Sequence, residues 1–320
     1  MYTISQCIRP YISQNIENVS SSHGPIKLFI ENKNINFLSY DKTSDSYEFN
    51  TLDSDDLLKS LSFDINRMSI ASFESFYSLK NRSSEYPKSI SWLLIKLYYS
   101  AFFSAHSILR ILGKPVLQIE QRQSLILNRQ ISFHALKDQI PKIENKIYVL
   151  DTDINNYITL KSCASKNSHE ELWKLFLNEL RLIEANVNQN SFIDQNSKIN
   201  FSTQLNSLSS VLCSNGRSNG NWLSSMRNEI NYQHLYNTWF PHSRTKPIRD
   251  KIYENLSRWD KEPYLNISNK SHILDKFSQA CVFIIALNKN LIEIIQSMNN
   301  KCFFNSQYGV KKVISTIYSV

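Results

Sequence analysis

The stretch Ser91-Trp92-Leu93-Leu94-Ile95-Lys96-Leu97-Tyr98-Tyr99-Ser100-Ala101-Phe102-Phe103-Ser104-Ala105-His106-Ser107-Ile108-Leu109-Arg110-Ile111-Leu112-Gly113 decides the fold. Its length and apolar content predict one long helix. Pro87 suits the first turn and Gly113 supplies the stop. Lys96, His106 and Arg110 interrupt the apolar run too often for a hydrocarbon environment, so the helix belongs in a protein core. The pairs Tyr98-Tyr99 and Phe102-Phe103 then read as core side chains, and His106 as a hydrogen-bonded core or interface histidine. A second apolar stretch, 280 to 295, is broken by Asn288, Lys289 and Asn290. It lies in a last long helix of about 271 to 298 that is apolar enough to sit centrally.

Working outward, the pattern is helical from Asp53, where acidic residues crowd a helix N-terminus. Ser168-His169-Glu170-Glu171 reads as a capping box ahead of Leu172, Leu175, Phe176, Leu180 and Ile183, an amphipathic helix ending near Asn186. Asn186 to Ser202 reads as a polar linker and 203 to 213 as another helix. Ser214 to Asn221, with Ser-Asn-Gly twice, is a loop. The next helix carries Trp222, Leu223, Met226, Ile230 and Leu235 on its apolar side, with Asn221 or Ser224 as cap, and Phe240-Pro241 ends it at the latest. A further helix runs from about Pro247 to Trp259.

The first fifty residues differ. Ile26 to Glu31 and Asn36 to Tyr40 alternate in short segments divided by Asn and Asp, which predicts a small β element. The expected organisation is therefore a β-containing element over 1–52 and a mainly α domain over 53–320, with an insertion around 114–200. The part to 166 is the least legible, apart from a helix near 120 to 128.

A chain of 320 residues, 42% hydrophobic and 12% aromatic, can bury a large core. Only 5 Gly are present, none in a phosphate-cradling arrangement, which argues against Rossmann and P-loop nucleotide sites. The net charge of +8 points towards a polyanionic partner. Five Cys without a CxxC pair suit reduced thiols, and the first ten residues lack a secretory pattern, so the expected location is cytoplasmic, with no membrane span. No His, Cys, Asp and Glu grouping has metal-ligand spacing, and no Gly-x-Ser-x-Gly elbow is present. Neither a metal nor a cofactor is expected.

The chemistry-bearing stretch is Arg227-Asn228-Glu229-Ile230-Asn231-Tyr232-Gln233-His234. In a continuous helix, seven positions return a side chain to the same face, which places Arg227, Asn231 and His234 on one stripe. A guanidinium that keeps its proton beside an imidazole that can lose one fits phosphodiester cleavage: the first holds phosphate oxygens and the second moves protons. Asn228 and Asn231 can orient the imidazole or bond a phosphate, and Tyr232 or Trp239 can stack on a base. With 12 Arg, 7 His and three allowed spacings, about one Arg-x4-6-His match arises by chance. The second match, Arg129 to His134, has Gln130 after its Arg and a spacing that turns away from the starting face, and it is set aside. The competing reading of the first has Arg227 on the surface, paired with Glu229 or Glu254, and His234 at a helix C-terminus favoured by the macrodipole.

Arg227 to His234 resembles the Arg-x4-6-His signature of the HEPN superfamily, in which a polar residue follows the Arg as Asn228 does here. Tyr98, Tyr99, Ala101, Phe102, Ala105, Leu109 and Gly113 resemble that superfamily's long early helix. The two segments cover roughly 30 residues, and their separation exceeds what compact members need, hence the expected insertion. The resemblance implies a HEPN-like helical bundle acting as a metal-independent endoribonuclease on RNA, with Arg227 and His234 catalytic and Asn228, Asn231 and Tyr232 auxiliary. It further implies a homodimer, a role as a toxin or antiphage defence effector, and a neutralising or activating partner. The alternative is a non-catalytic module that binds nucleic acid or protein.

Overall fold

The computed structural model describes residues 2–32, 35–80, 89–134, 137–152, 157–165, 167–239, 246–268 and 270–318. Among these are eleven α-helices: α1 (Ile4–Ile8), α2 (Ile26–Asn32), α3 (Ser54–Lys80), α4 (Ser91–Ile111), α5 (Gln121–Ser132), α6 (Ser168–Gln189), α7 (Gln195–Leu212), α8 (Trp222–Asn231), α9 (Lys246–Leu256), α10 (Ile273–Met298) and α11 (Val310–Tyr318). Five strands accompany them: β1 (Ile35–Asp41), β2 (Ser46–Thr51), β3 (Val116–Gln118), β4 (Ile147–Thr152) and β5 (Tyr157–Ser162). The chain is mainly α, as expected.

Helix α4 is the axis of the bundle, packed by α3, α10, α8 and α6. Seventeen of its side chains are buried, so it exposes almost no face. Its Ser and Ala positions let α3 approach closely, and the hydroxyls of Ser69, Ser72, Ser100, Ser104 and Ser107 find partners in the seam. Ser69 pairs with Ser107 and Ser72 with Ser104, each at 2.7 Å, and Ser72 and Ser100 each donate to the other's carbonyl, at 2.8 and 2.9 Å. A buried hydroxyl is costly only when unpaired, so the seam keeps small side chains without that penalty. Helix α10 is the one described helix long and apolar enough to cross a membrane. It is largely buried inside the fold against α4, α9 and α7, where its apolar side chains are covered by protein.

Gly113 ends α4 as expected. It adopts φ +74°, its N–H bonds to Arg110 O and the Lys114 N–H to Leu109 O, the paired closure that a left-handed residue permits. Its own carbonyl accepts from the Thr152 N–H and hydroxyl, both at 3.1 Å, which ties the helix to β4. Pro87, the expected first-turn residue, lies outside the described residues.

The sheet is antiparallel throughout, in the order β1-β2-β5-β4-β3. The N-terminal strands thus continue into strands from the least legible region, with Tyr47 opposite Leu160 and Phe49 opposite Ile158. Two expectations are corrected. Ile26 to Glu31 is not a strand but most of α2: Ile26, Phe29 and Ile30 are buried at helical spacing, behind a first turn led by Pro25. Asn186 to Ser202 is no linker. Helix α6 continues to Gln189, and Asp194 caps α7 by accepting from the Ser197 N–H at 2.9 Å. Polar Asn, Ser and Gln on the outer face hid an inward row of Ser197, Phe201, Gln204, Leu205 and Leu208.

Replacing Gly113 by alanine forces a side chain into a left-handed position where its Cβ meets the Thr152 and Ser13 hydroxyls at 2.8 and 2.9 Å. Urea unfolding is expected to register a loss of about 1–2 kcal/mol or more.

Candidate functional site

The apolar side of α8 is as expected, with Trp222, Leu223, Met226 and Ile230 buried, but the helix stops at Asn231. His234, Tyr236 and Asn237 all take positive φ, and the chain folds back under the helix end. That return lets the Trp239 Nε1 donate to Ile230 O at 2.6 Å, filling a carbonyl the helix leaves open, while the Tyr236 hydroxyl bonds to Glu229. The expectation of a helix running past Leu235 is therefore corrected, and with it the shared helical stripe: His234 is off the helix and exposed. Phe240-Pro241, the expected stop, lies outside the described residues, as does His242.

Arg227 is not on the surface. It is 7% exposed, and no ion pair to it is found among the described residues. Glu229 is engaged by Ser225 and Tyr236, and Glu254 by Lys251 and Arg258. The guanidinium lies over the rings of Tyr98 and Tyr99, 5.4 and 5.6 Å from their centroids. Its Nη2 donates to His169 Nε2 at 3.3 Å, and its Nε is buried without a partner.

His169 is the functional candidate that sequence reasoning passed over as a capping residue. Asn167 is the cap, accepting from the His169 N–H at 3.1 Å, which frees the imidazole to turn inward. Its Nδ1 is 2.7 Å from the Tyr98 hydroxyl, its ring is 4.2 Å from that of Phe102, and Trp173 Nε1 donates to the same hydroxyl at 3.2 Å. Since Arg227 can only donate, Nε2 must be bare and the proton sits on Nδ1, donated to Tyr98. Burial and then the Arg227 charge lower the His169 pKa to about 4, so the ring is neutral near pH 7. Burial likewise pushes Tyr98 up to about 12, against hydrogen bonds from Trp173 and Ser224 and the Arg227 charge. The signal for His169 was in the sequence. It stands at the head of the row His169, Trp173, Phe176, Leu180, the inward stripe of α6.

The auxiliary positions Asn228 and Asn231 are half-buried, with no side-chain hydrogen bond among the described residues, and Tyr232 is 70% exposed. His234 packs on Trp239 at 5.7 Å, and Trp239 meets Trp92 edge to face at 5.5 Å. Trp92 and Tyr99 are seven positions apart on α4, about 10 Å along its axis. Arg227 and His234 therefore lie along one flank of α4, through aromatic neighbours instead of a shared helical face. Tyr99 and His169 are half-buried and bring the Arg227 cluster towards solvent on their side. In the discarded match, His134 packs on Phe37 at 5.3 Å, beside the sheet. Among the described residues, no three His, Cys, Asp or Glu side chains gather as metal ligands.

A second buried cluster adjoins the first. His106 Nδ1 accepts from Arg110 Nη1 at 3.0 Å, and burial, then Arg110, hold its pKa well below the usual histidine value. Arg110 lies 3.8 Å from Asp64, whose other oxygen takes Arg67 at 2.7 Å. Phe102 is shared between His106 and His169, at 4.7 and 4.2 Å, so this histidine is a core residue as expected.

The depressed His169 pKa has a sign for stability. The unfolded chain, with its histidine near 6.5, binds more protons than the fold between pH 6.5 and 4. The contribution is fully present above pH 6.5 and lost as pH falls towards 4. Titration by NMR should find His169 neutral down to about pH 4 and should find it moved upward in Arg227→Ala, which lacks the neighbouring charge. Comparison with protein families, with curated proteins and with solved structures finds no match to this chain.

Proposed function

We propose that this protein is a HEPN-like, metal-independent endoribonuclease whose scissile phosphate is held by Arg227. The observation that carries the reading is a guanidinium withdrawn from water with no carboxylate beside it among the described residues, yet 3.3 Å from an imidazole. A buried cation without an anion favours a ligand that supplies one, and a guanidinium matches phosphate oxygens in shape.

The proposed reaction begins with attack of a ribose 2′-oxygen on the adjacent phosphorus, its proton passing to an imidazole. The P–O5′ bond breaks, leaving a 2′,3′-cyclic phosphate, and the departing oxygen receives a proton from a second imidazole. His169 suits the first role. It is neutral beside Arg227, and the charge of an arriving phosphate raises its proton affinity when the proton must be taken. His234, exposed on the same flank, is assigned the second. Arg227 stabilises charge on the equatorial oxygens, a contribution of about 3 kcal/mol in comparable sites. Asn228, Asn231 and Tyr232 contact the flanking nucleotides. DNA, lacking the 2′-hydroxyl, is not cut. The reading extends, on the HEPN-like motif alone, to a homodimer acting in toxin or antiphage defence and held in check by a partner, while the net charge of +8 supports a polyanionic substrate.

A second reading is a phosphate-binding module without catalysis. The 7% exposure of Arg227 and the departure of His234 from the helix favour it.

Incubating RNA in excess EDTA with wild type, Arg227→Ala, His169→Gln and His234→Ala separates the two. The nuclease reading expects cyclic-phosphate ends from wild type and a loss of about a hundredfold or more in Arg227→Ala. Intact RNA from a folded wild type, with RNA retention that disappears in Arg227→Ala, selects the binding module.

A further inference from the structure

Helix α4 buries seventeen of its 21 residues, and the four it leaves open are Trp92, Lys96, Tyr99 and Phe103. They stand at i, i+4, i+7 and i+11. That spacing keeps them on one stripe, about 16 Å long, down an otherwise enclosed helix. Trp92 is 49% exposed, and Lys96, Tyr99 and Phe103 are half-buried. Trp92 meets Trp239 at 5.5 Å, and the Tyr99 and Phe103 rings are 6.4 Å apart. Aromatic rings thus hold both ends of the stripe, with a cation between them.

The stripe passes the Arg227 cluster. On the side of α6 and α8, the His169 ring lies 6.3 Å and the Arg227 guanidinium 5.6 Å from the Tyr99 centroid. On the other side, Lys96 Nζ donates to the Ser78 hydroxyl of α3 at 3.3 Å, and Lys96 has no ion pair among the described residues. An apolar cover, such as a helix of a second copy, would strip Lys96 of water without supplying an anion, at a cost. A nucleic-acid strand has the complementary composition, with flat base faces for the rings and phosphates for the cations. In a duplex those base faces are stacked on one another and closed to protein, so the complement of this stripe is unpaired.

We infer that a single, unpaired RNA strand lies along α4, its bases stacked on the aromatic side chains of the stripe, one backbone phosphate at Lys96 and the scissile phosphate at Arg227. The inference rests on the reading of Arg227 as the phosphate-holding residue and names the substrate class of that site. Trp92 and Lys96 are positioning residues, holding the strand away from the reacting atoms. They set no base preference, because every base has a face to stack.

Fluorescence anisotropy of the full chain with a labelled 2′-O-methyl RNA, which lacks the attacking hydroxyl and is not cut by the proposed route, tests the track without depending on catalysis. The single strand should bind about tenfold or more tighter than the same strand annealed to its complement. Trp92→Ala should weaken single-strand binding about tenfold, the loss of one stacked base, and Trp92→Phe should restore most of it. Lys96→Gln should lower the slope of log affinity against log salt by about 0.7, as one lost phosphate contact on a single strand does, and it carries the test if Trp92→Ala does not fold. Absence of single-strand binding, duplex binding as tight as single-strand binding, or Trp92→Ala and Lys96→Gln both binding as wild type does overturns the proposal. Self-association that Trp92→Ala abolishes with RNA binding untouched overturns it too, and assigns the stripe to a second copy. Intact natural RNA in excess EDTA with the binding effects present removes the nuclease reading alone, and cut RNA with them absent removes the track alone.

Discussion

A guanidinium taken out of water, with no carboxylate beside it among the described residues, is the constraint around which the bundle is arranged. Stripping a cation of its hydration is costly, and the usual remedy is an acid within reach. Arg227 has instead the faces of two tyrosines and the bare nitrogen of one histidine. Those groups come from α4 and α6, so the cation on α8 is tolerable only when three helices are in register. The ring quadrupoles offset part of the desolvation cost, and the neutrality of His169 avoids a second charge in the same space.

The rest of the interior accommodates that cluster. Close approach of α3 and α4 through paired serines lets α4 be surrounded on all sides, which leaves its aromatic flank facing α6 and α8. About three turns further along α4, Arg110 does have its acid, Asp64, and His106 is held neutral beside it. Of these two buried arginines on neighbouring elements, one has an acid beside it and the other has none among the described residues. Both histidines sit against Phe102, so the two clusters share one aromatic wall.

Long helices with a clear apolar period were legible because burial and periodicity agree over many turns, as in α4 and α10. The residues of α2 and α7 were misread for opposite reasons. Ile26 to Glu31 is short enough to satisfy both the strand and the helix period, and α7 is so polar outside that its inward row was masked. The end of α8 was illegible because the chain leaves the helix through positive φ at His234, Tyr236 and Asn237, none of them glycine. That backbone is stabilised by Trp239 reaching back to Ile230, a contact between residues nine apart with no local sign.

From the chain itself came the mainly helical class, the central place of 91 to 113 and its Gly113 stop. Each depends on local pattern, on what a residue type can do at a given spacing. Tertiary structure alone decided that Arg227 is buried, that its imidazole neighbour is His169 from 58 positions away, and that His234 stands apart on a turn. The reason is physical: a histidine's protonation and a cation's partner depend on which helices meet, and burial lowers the His169 pKa to about 4 only after α4, α6 and α8 have packed.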